Sequence, residues 1–274
     1  MPPAAAAYDV AMLSSAAPGL SLGRALRLRW RSAWALLNLG ALVLALGLSP
    51  STYRRPWRVP LATQVVRAAW PLLPWFTLLA AIVSLVLTRI VLVTAQSYGL
   101  SQYALEMVVR VLVLELIPLT AALAVALRVT LPMAAELAQW RLQGALDDAR
   151  SRGQDPLRGL IAPRALAGLF AVLLLAAVAG TVALVLAYVL AHGLSPWALD
   201  RYTRMVGHVF SPAVSLVFVL KTAALALAVS VVPIGTALHG RAGGGQGALE
   251  VQGLTRMFLA ALVVEVAGLA GNYL

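Results

Sequence analysis

Apolar runs too long for a soluble core dominate this chain. From about Leu72 to Ala95, Ala104 to Leu127, Ile161 to Ala191, Pro212 to Leu238 and Leu254 to Leu274, charge interrupts the sequence only at isolated positions. A helix rises about 1.5 Å per residue, so roughly 20 apolar residues cross a ~30 Å hydrocarbon layer. Each of the five runs is long enough. Hydrophobic residues make up 61% of the 274 residues and charged ones 11%, more apolar surface than a soluble domain of this length can bury. The expected fold is an all-α membrane protein, an N-terminal interfacial elbow helix followed by five transmembrane helices.

Residues 1–20 are rich in Ala and Pro and carry a single acid, Asp9. They lack the basic-then-apolar order of a cleavable signal and read as a disordered tail. From Ser21 to Leu39, Arg24, Arg27 and Arg31 recur at helical spacing, offset from Leu22, Leu26, Trp30, Trp34 and Leu37. Such a helix lies on a membrane surface with its arginines toward lipid phosphates. The apolar stretch goes on to Leu48, too short from Trp34 for a comfortable crossing. An elbow that dips and returns is expected, and with its Pro-broken loop it fills residues 21–60. Residues 61–274 hold the five spans.

The formal charge is +11 and the pI near 11.2, values that in a soluble chain would suggest nucleic acid. Here the arginines form no single basic face and no nucleic acid is expected as a partner. They cluster between Arg24 and Arg67, again between Arg128 and Arg164, and at Arg241 and Arg256, whereas Gln96 to Tyr103 has none. Positive residues stay on the cytoplasmic side, so the N-terminus is expected in the cytoplasm and the C-terminus outside.

Little in the sequence suggests catalysis. There is no cysteine, and His192, His208 and His239 lie far apart. The only lysine, Lys221, precedes Thr222 but follows Leu220 in an apolar run, so no phosphate-binding loop is formed. Gly243, Gly244, Gly245 and Gly247 follow no strand and read as a flexible connector between two spans. No serine has the Gly-x-Ser-x-Gly setting of a hydrolase nucleophile.

The informative residues are the charges inside the expected spans: Arg89, Glu106, Arg110, Glu115, Lys221 and Glu265. A charge at the centre of a spanning helix costs about 2.5–3.5 kcal/mol on insertion scales, so each should find a partner, the bundle interior or a wet cavity. Glu106 and Arg110, four residues apart, can pair along one helix, and Arg89 can snorkel. Glu115, Lys221 and Glu265 lie deeper, on three different helices. They are the candidate polar cluster, to be read as a transport pathway or as purely structural pairing.

From Leu114 to Pro163 the chain resembles the MlaE (YrbE) family of ABC permeases. Glu115, Pro118, Arg128, Ala135, Glu136, Arg141, Asp155, Pro156, Leu157, Pro163 and Arg164 fall in step with its Glu-Leu-Gly-Pro start, helix-ending Arg, Ala-Glu and Asp-Pro-Leu. Lys221 with Thr222, His239 to Gly247, and Thr255 with Arg256 continue the resemblance. The chain departs from it at Ile117, where the family has Gly, and at Gly144, where it usually has Glu.

The resemblance implies a permease subunit in the bacterial inner membrane that moves phospholipid between inner and outer membranes. Its implied partners are a cytoplasmic ABC ATPase, a periplasmic MCE-domain protein and a second permease copy or paralogue. It implies no cofactor of the chain's own, since the ATPase subunit binds the ATP. The segment 136–158 is the implied coupling element, with Glu136, Arg141, Asp155 and Pro156 within it and Arg128 ahead of it as coupling residues. The cost of their charges at depth, on three spans, makes Glu115, Lys221 and Glu265 the expected lipid pathway. Three other readings stand beside this one: the less regular half of a heterodimer, a membrane enzyme acting on lipid head groups, and a scaffold that only anchors an MCE ring.

Overall fold

A computed structural model describes residues 34–49, 58–153, 156, 159, 161–239 and 245–273. The expected tail, the arginines of the elbow, the loop between Ser49 and Arg58, and Asp155 lie outside the described residues, which are helical throughout apart from turns.

Helix α1 (Trp34–Leu48) is short and apolar. Leu39 and Val43 are buried among Ile161, Leu166, Val231 and Ile234. A methyl group on Gly47 would come within 3.0 Å of Leu166, and one on Gly40 within 3.9 Å of Val231. Those partners belong to the first turns of one long helix and the last turns of another. The helix therefore lies across one end of the bundle, as an elbow does.

Helix α2 (Arg58–Ala69) leads through a turn bearing Pro71 into α3 (Leu73–Ser97), and both pack along the same long helix, α6 (Ala162–His192). On α3 the buried positions are Phe76, Ala80, Ser84 and Thr88, every fourth residue. This is the spacing of a single buried stripe. Leu87 and Val91 flank that stripe, partly buried against the core, while Arg89 faces outward.

The second span departs from expectation. It runs unbroken from Tyr103 to Leu142, well past the expected end at Leu127, and at roughly 60 Å it outreaches a bilayer. This helix, α4, is built in five stretches: α-helical turns at Ser101–Val108, Ile117–Val125 and Leu131–Leu142, with π-helical turns at Val109–Leu116 and Ala126–Thr130 between them. The prolines explain the alternation. Pro118 and Pro132 each lack an N–H, and each ring crowds the carbonyl four residues earlier. Just before each of them the helix widens: Ile117 N–H bonds the Leu112 carbonyl and Leu131 N–H the Ala126 carbonyl. A wider turn relieves the crowding without ending the helix.

The helix stops at Leu142 because Gly144 takes φ +77°, the left-handed conformation in which a side chain would be strained. The departure at Gly144 thus has a backbone cause. A short helix, α5 (Ala145–Ser151), follows. The last three helices are α7 (Leu199–Val209), α8 (Pro212–His239) and α9 (Gly245–Tyr273). Since α9 begins at Gly245, the expected glycine connector is partly helix and the last span starts earlier than Leu254.

Helices α3, α4, α6, α8 and α9 are long and apolar enough to cross a membrane. The turn at 98–100 and the connection 193–211 mark one end of the bundle, called here the loop end. At the other, the basic end, lie α1, α5, Arg141 and Arg164. Near the loop end Tyr202 of α7 donates its hydroxyl to the Leu184 carbonyl of α6 at 2.7 Å. Burial pushes that phenol up to about 12, so the donor stays protonated at neutral pH.

Candidate functional site

Lys221, Glu115 and Glu265 meet, although they come from three spans. Lys221 Nζ donates to Glu115 Oε2 and lies 3.0 Å from Glu265 Oε1. Its side chain is 1% exposed and each carboxylate 15%. Two acids face one base. The second oxygen of Glu265 is buried and has no hydrogen-bond partner among the described residues, so acceptor capacity is left over in the cluster. Lys221 lies nine residues into α8, roughly 14 Å from its start, which puts the triad in the half of the bundle nearer the loop end.

Local sequence makes this meeting possible. Glu115 sits in the first π-helical stretch, whose Val109, Leu112, Val113 and Leu114 are buried while its own side chain is only partly so. On α9, Gly268 clears the path of the lysine stem: a methyl group there would come within 2.7 Å of Lys221 Cδ. Small residues allow helices to approach closely in a membrane, and here the gap is filled by the stem of a charged residue. Beside the triad, α8 and α9 line an apolar groove of about 320 Å³ with Val217, Leu220, Ala224, Val264, Ala267 and Gly271. Lys221 also borders it. Its ammonium group is turned to Glu115 and Glu265, so an anion beside the groove could bind it only by displacing a carboxylate, while the groove itself suits a hydrocarbon chain.

A larger hollow of about 380 Å³ lies toward the basic end, among α4, α8 and α9, bounded by Pro132, Ala135, Pro233, Ala237 and Glu250. It contains no cluster of charges, and size alone gives it no chemistry.

The expected coupling residues lie apart from the triad. Arg128, at the second π-helical stretch, is exposed, and Glu136 and Arg141 follow on the final turns of α4. Instead of simply projecting outward, Glu136 and Arg141 tie α4 to its neighbours. Glu136 Oε2 lies 3.4 Å from an Arg164 nitrogen at the start of α6, and the Arg164 guanidinium sits 4.9 Å from the Trp140 ring centroid. Arg141 donates to the Ala237 carbonyl in the last turn of α8 at 3.1 Å. That carbonyl lies at the negative end of its helix, where a cation is favoured. Glu136 keeps 46% of its side chain exposed. Pro156 is buried.

The remaining charges behave as their spacing suggests. Arg110 contacts Glu106 on its own helix at 3.0 Å, both partly exposed.

Three residues in buried contacts carry no charge and escaped the sequence reading: Thr130, Gly168 and Ser230. The one signal that could have led to them is Pro233 inside α8, which deprives the Val229 carbonyl of its usual N–H partner.

In comparison with known proteins, the family model described as Permease MlaE matches residues 61–270. No curated protein matches the chain.

Proposed function

The chain belongs to the MlaE permease family, and from that premise we propose that it is the membrane subunit of an ATP-driven transporter carrying phospholipid between the inner and outer membranes. In this reading the basic end faces the cytoplasm, the loop end faces the periplasm, and the chain performs no bond chemistry. The ATP is bound and hydrolysed by a separate cytoplasmic ABC ATPase seated against the end of α4 and α5. A periplasmic MCE-domain protein receives or delivers the lipid, and a second permease copy or paralogue completes the membrane unit.

The observation that carries this reading is the triad beside the groove. A lysine buried in a spanning bundle is expensive to keep, and pairing it with two acids offsets that cost. A lipid phosphate competes with those carboxylates for the same ammonium group. Glu115 and Glu265 thus balance Lys221 when no lipid is bound and help to displace the phosphate at release, while the groove takes an acyl chain.

The test is purification of the tagged chain from its native membrane in mild detergent. An ABC ATPase and an MCE-domain protein should co-purify, and extraction should recover phospholipid at a fixed ratio to the chain. Replacing Lys221 by Ala should lower that ratio severalfold with the assembly intact. Recovery of neither partner, or a lipid ratio indifferent to Lys221, overturns the reading.

A further inference from the structure

Helices α4 and α8 run in the same direction through the bundle and are tied at three levels. Near the loop end the tie is Glu115 to Lys221, and at the basic end it is Arg141 to the Ala237 carbonyl. Between them Thr130 donates its hydroxyl to the Val229 carbonyl at 2.8 Å, with Thr130 wholly buried.

The middle tie has a specific cause. Pro233 lies four residues after Val229 within α8 and has no N–H to offer that carbonyl. In a spanning helix such a group must be satisfied from elsewhere, and a neighbouring threonine does so. Thr130 itself closes the π-helical stretch Ala126–Thr130. Both helices therefore depart from α-helical bonding at their point of contact. The third helix comes equally close: a methyl group on Gly168 of α6 would stand 2.8 Å from Ser230 Oγ and 2.9 Å from Thr130 Cγ2. Ser230 is wholly buried, and its hydroxyl has no hydrogen-bond partner among the described residues.

We infer that this three-helix contact is a fulcrum, with Thr130 as the positioning residue through which movement of the end of α4 reaches the Glu115–Lys221 pair. The inference rests on the permease reading above. One hydrogen bond and close packing hold the contact, while Pro233 and the π-helical turns let the helix segments on either side tilt about it. The two arms of α4 are of similar order, roughly 22 Å from Thr130 to Glu115 and roughly 16 Å to Arg141. A push on the last turns of α4 is returned near the loop end as a change in the separation of α4 from α8, where the lysine either holds or gives up its carboxylate. Packed interfaces switch between arrangements of this kind instead of deforming smoothly.

The absence of cysteine makes the test clean. Val111 and Val219, exposed on α4 and α8, are replaced by Cys and spin-labelled in the chain purified with its ATPase. Their distance distribution is recorded without nucleotide and with ATP plus vanadate. The distribution should shift on trapping, the shift should be lost in Thr130→Val, and it should return in Thr130→Ser, which keeps the hydroxyl. Basal ATP hydrolysis and ATPase binding should be the same in all three. A shift that survives Thr130→Val, or that is missing from the parent while the ATPase is bound, overturns the fulcrum. A chain that binds no ATPase overturns the permease reading beneath it.

Discussion

Lys221 reaches two carboxylates on other helices because Gly268 offers its stem no obstacle. The space is filled so closely that Gly268→Ala forces either the lysine or the α8–α9 pair to move, a change of the overpacking kind that costs about 1–3 kcal/mol. Gly271→Ala is the matched control, since its methyl would stand 3.4 Å from Val217. Thermal unfolding in detergent should therefore separate Gly268→Ala from Gly271→Ala, and equal midpoints would show that the lysine stem is not confined. Electrostatics sets a second comparison. Lys221→Ala strands two largely buried acids, a loss of about 3–5 kcal/mol, whereas Lys221→Ala with Glu115→Ala leaves only Glu265 without its cation and should restore part of the stability. If the double variant assembles but loses bound lipid, the triad serves transport; full lipid retention would make it a structural salt bridge.

At the scale of elements, α4 joins the basic end to the triad without a break. The last turns of this helix are clamped from two sides, by Arg164 against Glu136 and Trp140 and by Arg141 against the Ala237 carbonyl. A clamped segment can pass a push onward, and a loose one absorbs it. Replacing Glu136 and Arg141 by Ala together should weaken co-purification of the ATPase through loss of this bracing. Arg164→Ala should do the same even though only 13% of its side chain is exposed, too little to offer a partner much contact. Binding that depends on Glu136 and Arg141 but ignores Arg164 would return those two residues to direct contact with the ATPase. The sequence singled out Glu136 and Arg141 through the resemblance around them. It did not reveal that these residues face α6 and α8, because the pairs lie 28 and 96 positions apart, as numbered from Glu136 to Arg164 and from Arg141 to Ala237.

For the whole molecule, the proposed topology has five crossings, with the basic end in the cytoplasm and the loop end outside. A cysteine at Gly99, in the turn at the loop end, should react with a membrane-impermeant maleimide added outside intact cells, and one at Arg152, after α5, should not. The reverse pattern would turn the molecule over and put the ATPase at the wrong end for the lever described above. What the sequence determined by itself was the helical fold, the number of crossings and the identity of the costly charges. These follow from run length and transfer energy, which each segment carries without reference to any other. Tertiary structure decided where the second span ends, since α4 continues past the expected limit until Gly144 turns the chain. It also decided which charges meet and which uncharged residues stand between them. Those outcomes depend on glycines that let helices approach and on carbonyls freed by proline, and both acquire their meaning only when a second helix arrives alongside.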